Sequence, residues 1–303
     1  MKNDYNKRLN NLKQRRETDK ILKKSFLSES FDKTAYNESL KYVLEAMKPI
    51  PFEYNQNTFT ACERVQKQLE PELNSVGFYV SFRYQGSIVT DTNIKIYSDV
   101  DQLVIIERFY WVSPPLVVTL PYAGSPTNDV LELRNKVKSI IEDKFRAVTV
   151  DDSKGKCTTI DGGSLNRKID LISCSWVNTQ NYELHNDEDY RGIKIYDKKE
   201  QTWIENYPFM HAYFINKKDS ECYGNLKKLI RLLKTLKVDS DNKIDISSYD
   251  IAALAYNMPD KELQVDSSYP LLLLKNCEKF FNEIANYDQT RNSLQVPNKT
   301  RKI

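Results

Sequence analysis

Apolar positions along this chain recur at two different spacings, and each predicts a different element. Leu40, Val43, Leu44 and Met47 return every three or four residues. Phe59, Cys62, Val65 and Leu69 do so again beyond the Pro49–Pro51 break, so two amphipathic helices are predicted, one on each side of it. Residues 78–84 (FYVSFRY) are rich in aromatics and alternate toward their end, residues 100–106 (VDQLVII) form a short apolar run, and residues 167–172 (RKIDLI) set a polar residue between apolar neighbours. All three read as strands. Between the last two, Leu131, Val137, Ile140, Ile141 and Phe145 outline a helix capped by Thr127 or Asn128. The chain then turns helical. Residues 223–237 place Leu226, Leu229, Ile230, Leu233 and Leu236 on one face and Lys227, Lys228, Arg231, Lys234 and Lys237 on the rest, and Leu271–Leu274 reads as a buried helix segment. The expectation is an α+β protein in two parts: N-terminal helices and a mixed β-sheet lobe over residues 1–178, and a mainly helical lobe over 179–303.

Composition narrows what such a protein can be. A chain of 303 residues is long enough for two lobes, since single cores stop growing at roughly 250–300 residues. Forty per cent hydrophobic residues and 19 tyrosines fit a packed interior, while a mean hydropathy of −0.62 argues against a membrane protein. Lys and Arg outnumber Asp and Glu by 45 to 42, so global charge does not announce a nucleic-acid binder, and any polyanion site must be local. The first 24 residues are basic and read as a solvent-facing helix or arm in preference to a docking element. The five cysteines are scattered without a CxxC pair, and with only two histidines they cannot build a standard zinc site. The basic N-terminus has no apolar core, and no run approaches the ~20 apolar residues of a spanning helix. A cytoplasmic location without a membrane partner is expected.

Candidate chemistry sits where the first strands end. A chain with only 8 glycines places Gly86-Ser87 directly after one strand, and sets Asp99 and Asp101 at the head of the next. Residues two apart on a strand share a face, so both carboxylates converge on one spot. Asp170, between Ile169 and Leu171, is a third carboxylate in a strand, where burial without a partner is costly. Three such groups repel one another unless cations sit among them. An oxygen-only donor set selects a hard ion, Mg²⁺ or Mn²⁺, and a pair of ions ~4 Å apart is the usual clamp for nucleotidyl transfer. Gly86 would let the backbone approach phosphate oxygens and Ser87 would add a hydroxyl donor. Asp161 is the weaker third carboxylate, because it opens a turn-like DGGS.

Gly86-Ser87, then Asp99-Val100-Asp101, then Ile169-Asp170-Leu171 resemble, in order, the motifs of the DNA-polymerase-β-like nucleotidyltransferases. Thr92-Asn93-Ile94-Lys95, and Pro208-Phe209-Met210-His211 followed by a basic helix, are similar to segments of the bacterial cyclic-oligonucleotide synthases related to cyclic GMP-AMP synthase, the CD-NTases of CBASS antiphage systems. The resemblance covers roughly residues 55–240. It implies a bilobed enzyme with its active site in the cleft, Asp99, Asp101 and Asp170 as ligands of two Mg²⁺ ions, and Gln85, Gly86, Ser87, Lys234 and Tyr249 against the nucleotide. For Tyr249 a core or capping role stands equally open. The implied partners are nucleoside triphosphates, a separate downstream effector that binds the product, and a regulatory protein or nucleic-acid activator. The implied reaction joins triphosphates into a cyclic di- or trinucleotide with release of pyrophosphate. Alternatives are a synthase of linear oligonucleotides, a transferase modifying tRNA or protein, or a nucleotide-binding module without catalysis. Asn166, Asn178, His211 and Asn216 are polar candidates for base selection, and the sequence does not rank them.

Overall fold

A computed structural model of the chain describes residues 4–16, 37–95, 99–165 and 167–303. Helices α1 (Tyr5–Arg16), α2 (Glu38–Met47) and α3 (Phe52–Ser75) come first, followed by strands β1 (Val80–Gln85) and β2 (Val100–Val112). Helix α4 (Pro126–Lys144) leads to β3 (Thr149–Asp151), β4 (Thr158–Asp161) and β5 (Ile169–Asn178). A short α5 (Gln180–His185) and a hairpin of β6 (Gly192–Asp197) and β7 (Thr202–Asn206) close the β part. The rest is helical: α6 (Pro208–Glu221), α7 (Asn225–Val238), α8 (Ser248–Asn257), α9 (Asp260–Leu263), α10 (Pro270–Asn286) and α11 (Asp288–Ser293).

Local chemistry explains most of the boundaries. Asn37 caps α2 by accepting from the Leu40 amide, and Ser247 caps α8 through the Asp250 amide. Helix α4 begins earlier than the expected Thr127 or Asn128 cap. Ser125 is the N-cap, because Pro126 at the first helical position has its φ pre-set and needs no N–H acceptor. Strand β2 runs to Val112, past the expected end at Ile106. Its register on β5 slips between Ile106 and Tyr110, where the exposed Glu107 and Arg108 interrupt the apolar run.

The strands form one mixed sheet in the order β1-β2-β5-β4-β3, with β6 and β7 continuing from β5. Among the described residues only the β2–β5 pair is parallel. Helices α3 and α4 pack together over the sheet through Val65, Leu69, Leu73, Leu133, Val137 and Ile141, all buried with Val100, Val104 and Ile169. The described residues divide into two compact units. A sheet unit spans Phe52–Val89 and Tyr97–Ala212, and a helical unit spans Met1–Pro51, Thr90–Ile96 and Tyr213–Ile303. This division falls elsewhere than the expected 1–178 and 179–303, because α1 and α2 share a core with the C-terminal helices: Leu9, Leu12, Tyr42 and Met47 pack with Leu226, Leu229 and Ile230.

Two expectations about helix surfaces are corrected. The described part of the basic N-terminus is no solvated arm. Arg15 pairs with both carboxylate oxygens of Asp239, while Arg16 is 1% exposed and donates to the Lys48 carbonyl at 2.9 Å. Of Leu271–Leu274 only Leu273 is buried, and Leu271 and Leu272 are exposed, since α10 lies on its unit through one face that also carries Cys277 and Phe280. Among the described residues no helix is long and apolar enough to cross a membrane.

Candidate active site

Sheet register assembles the site. Gln85 on β1 stands opposite Asp101 on β2, Asp101 stands opposite Asp170 on β5, and Asp170 stands opposite Thr159 on β4. Directly paired residues project from the same face, so these four side chains form one polar row across four strands. Their chain neighbours point the other way: Val100, Ile169 and Leu171 lie in the core. Asp99 precedes β2 by one residue, is exposed, and shares the parity of Asp101. Asp161, at the exposed end of β4, shares the parity of Thr159 but lies beyond the β4–β5 pairing, which ends at Ile160, and pairs with Thr149 instead.

The Gly-Ser turn abuts the row. Gly86 has φ +92°, a region that side-chain-bearing residues avoid, and a Cβ there would stand 3.6 Å from Asp101 Oδ2. The glycine therefore reverses the chain at the end of β1 directly beside a carboxylate. Residues 87–91 are a turn, started by a hydrogen bond from the Val89 amide to the Gly86 carbonyl.

Each carboxylate has a donor at hand. Gln85 Nε2 donates to Asp101 Oδ2 at 3.2 Å, while Gln85 Oε1 is buried without a partner. Thr159 Oγ1 donates to Asp170 Oδ1 at 2.5 Å. Lys154 Nζ lies 3.2 and 3.1 Å from the two oxygens of Asp170, and Lys168 Nζ lies 2.8 Å from Asp99 Oδ2. Burial pushes the Asp101 carboxyl up to about 6, and the charges of Asp170 and Asp99 push in the same direction against the pull of the Gln85 hydrogen bond and Lys154.

Among the described residues, no three His, Cys, Asp or Glu side chains are drawn together tightly enough to hold a metal ion. Ammonium groups of Lys154 and Lys168 face Asp170 and Asp99 instead. The donor set nevertheless fits a hard divalent cation. It consists of carboxylates on one face of a sheet, with Asp101 carrying a burial and like-charge burden that such an ion would relieve.

Lys234 and Tyr249 belong to the helical unit. Far from snorkelling at a surface, Lys234 is buried, donates to the Thr92 carbonyl at 2.8 Å, and has its ammonium pulled down to about 8 by burial and by the neighbouring Arg231. Arg231 is buried as well, on the Met47 and Asp91 carbonyls. Tyr249 packs its ring against the Arg301 guanidinium, 5.5 Å away. Of the base-selection candidates, Asn166 lies outside the described residues. Asn178 is buried between Glu183 and Arg191, His211 is held down at about 4 by burial, and Asn216 is exposed.

Sequence reasoning missed Thr159, Lys154, Lys168 and Arg134. Thr159 reaches Asp170 through the β4–β5 pairing and Lys154 reaches it from the loop between β3 and β4, neither of which a local pattern encodes. Arg134 did leave a signal, being a charged residue on the buried stripe of α4 beside Leu133 and Val137.

A mixed sheet that carries aspartates in register behind a glycine-serine turn defines a nucleotidyltransferase. Residues 214–303 match the family model of the cGAS/DncV-like nucleotidyltransferase C-terminal helical domain. The chain is 35% identical over 288 residues to the cyclic dinucleotide synthase CdnE of Yersinia aleksiciae, covering 91% of this chain and 74% of that protein. It is 32% identical over 282 residues to a c-di-GMP synthase of Lachnospiraceae bacterium (strain RUG226), covering 84% and 80%. The solved structure of the STING-associated CdnE c-di-GMP synthase from Capnocytophaga granulosa superposes with a TM-score of 0.79 at 31% identity, over 99% of this chain and 90% of that one. The chain belongs to the cGAS/DncV-like nucleotidyltransferases, enzymes whose relatives here are cyclic dinucleotide synthases.

Proposed function

We propose that this protein joins two nucleoside triphosphates, guanosine triphosphate foremost, into a cyclic dinucleotide with release of pyrophosphate, as a signal in antiphage defence. The observation that carries the reading is the register that sets Asp101 beside Asp170, with Gly86 against Asp101. The choice of guanine rests on the relatives that are c-di-GMP synthases.

Asp99, Asp101 and Asp170 would hold the divalent ions, a pair of Mg²⁺ with Mn²⁺ as substitute. When bound, such ions supply activation of the acceptor hydroxyl and charge neutralisation on the triphosphate. The protein's own work is positioning. Gln85 fixes the Asp101 carboxylate from the neighbouring strand, and Thr159 fixes Asp170. Gly86 and Ser87 present the turn to phosphate oxygens. Lys234 supplies an ammonium that remains mostly charged at neutral pH, and Tyr249 approaches the nucleotide. The product would be read by a separate effector protein in the same cytoplasm. The Capnocytophaga granulosa relative is STING-associated, which makes a receptor of that kind the partner to look for.

The test is to incubate the protein with single and paired ribonucleoside triphosphates and Mg²⁺ or Mn²⁺, treat with phosphatase, and weigh the survivors by mass spectrometry. A phosphatase-resistant species of cyclic-dinucleotide mass, absent when Asp99→Ala/Asp101→Ala is used, is the expected result. Products that phosphatase degrades, or label transferred only to added tRNA or protein, would replace this reading by one of a linear-oligonucleotide or modifying transferase.

A further inference from the structure

The loop that carries Lys154 is built with more care than a surface connection between two short strands needs. Residues 152–157 join β3 to β4. Arg134, buried on α4, donates to Asp152 Oδ1 at 2.8 Å and to the carbonyls of Lys154, Gly155 and Cys157 at 2.7, 2.6 and 2.5 Å. Asp152 also accepts from Thr158 Oγ1 at 2.8 Å and from Lys198 Nζ, which in addition reaches the Asp152 carbonyl at 2.6 Å. Gly155 lies so close to Asp197 that a Cβ would meet its Oδ1 at 2.0 Å. Asp197 Oδ1 is itself fixed by the amides of Lys199 and Glu200.

Sliding this loop would strand a buried guanidinium and several carbonyls, so its backbone is held in one conformation. The consequence is local. The backbone of Lys154 is ordered in advance, and its ammonium reaches both oxygens of Asp170, at 3.2 and 3.1 Å, without the entropy cost of ordering a free loop. Asp170 Oδ1 additionally accepts from Thr159. Lys168 on Asp99 offers a contrast in the carboxylate: the two lysines are alike, at 41% exposed for Lys154 and 37% for Lys168, but Asp99 is 47% exposed against 14% for Asp170.

We propose that Lys154 is a resident cation of the carboxylate row. It neutralises Asp170 while no divalent ion is bound and leaves Asp170 when one binds, so ammonium and metal compete for that carboxylate. The inference rests on the reading of Asp170 as a metal ligand. Competition follows from charge: an ion on either Asp170 oxygen stands within a few ångströms of an ammonium that already contacts both, and like charges at that separation repel. Lys154 is thus a positioning residue that keeps the row charge-balanced between turnovers and sets how much metal the enzyme needs.

Mn²⁺ binding to the full-length, metal-stripped protein, read by electron paramagnetic resonance of the free ion at low salt, tests this without turnover. Lys154→Gln is expected to bind Mn²⁺ about three- to tenfold more tightly than the unaltered protein, and Lys154→Arg to stay near it. Lys168→Gln should shift binding by less than about twofold, as an exposed pair is screened. In an Asp170→Asn background the gain from Lys154→Gln should vanish. Thermal melts of each variant confirm the fold, and Lys154→Met, which likewise removes the charge, stands in if the glutamine variant melts early. Unchanged or weaker binding by Lys154→Gln would overturn the proposal, as would a gain that persists in Asp170→Asn, which would mark a long-range charge effect. If the unaltered protein binds Mn²⁺ and Asp99→Ala/Asp101→Ala does so equally well, the metal-centre reading fails and takes this one with it. Loss of binding in that variant, with no gain in Lys154→Gln, removes the resident cation alone.

Discussion

Both units of this protein bury cations on main-chain carbonyls, Arg134 in the sheet unit included, but the sheet unit also carries a row of acids that is held differently. In the helical unit the buried cations Arg231 and Lys234 are tied to main-chain carbonyls of Met47, Asp91 and Thr92, dipoles that are part of the fold. In the sheet unit the carboxylates of Asp99 and Asp170 are met by the tips of lysine side chains, and Asp101 keeps a carboxyl raised to about 6. Carbonyl partners cannot leave without unfolding, whereas ammonium tips can. The first arrangement holds a core together, and the second is the one that the proposed exchange of an ammonium for a metal ion requires.

The comparison is broken most severely at Asp101. Asp101→Ala should lower turnover by about a thousandfold or more with the circular dichroism spectrum unchanged, because the row faces away from the core. A variant that folds and retains full activity would show that the row is not the catalytic centre. Next in size is Arg231→Met, which leaves the Met47 and Asp91 carbonyls without their donor and should destabilise the protein by about 2–4 kcal/mol in urea unfolding. A loss no larger than that of a surface substitution would mean the carbonyl ties are dispensable.

Asp101→Asn sharpens the contrast, since it should stabilise the metal-free protein by about 1–2 kcal/mol near neutral pH while removing activity. The sign follows from the raised carboxyl. A folded-state value near 6 against 3.8 unfolded means the folded protein binds the proton more tightly. Its stabilising contribution is present below about 4 and is lost as pH rises through about 6. The melting-temperature advantage of Asp101→Asn should therefore grow from pH 5 to pH 7, and a flat difference would contradict the assignment. The smallest effect is expected at the exposed Lys168–Asp99 pair, where Lys168→Gln should change stability by less than about 0.5 kcal/mol.

These differences also explain what the sequence revealed. Asp99 and Asp101 were legible because strand parity acts over two residues, and Asp170 because an acid between Ile169 and Leu171 is conspicuous at short range. Their order with Gly86-Ser87 carried the family resemblance. The grouping of α1 and α2 with the C-terminal helices was hidden, since it depends on a cluster that joins Leu9 and Tyr42 to Leu226, more than 180 residues away in the chain. The burial of Lys234 and Arg231 was hidden for the same reason: a lysine on a basic helix face looks solvated until the Asp91 and Thr92 carbonyls dock on that helix. Lys154 lay in a loop whose shape is dictated by an arginine 20 residues earlier on another element.

The central claim is that Asp99, Asp101 and Asp170 form one metal centre. Anomalous scattering from a crystal of the protein grown with Mn²⁺ and a non-hydrolysable guanosine triphosphate analogue tests it most directly. Manganese peaks within coordination distance of all three carboxylates, with Lys154 moved off Asp170, are the expected result. Manganese bound elsewhere, or an Asp170 that keeps its lysine with the nucleotide in place, would contradict it.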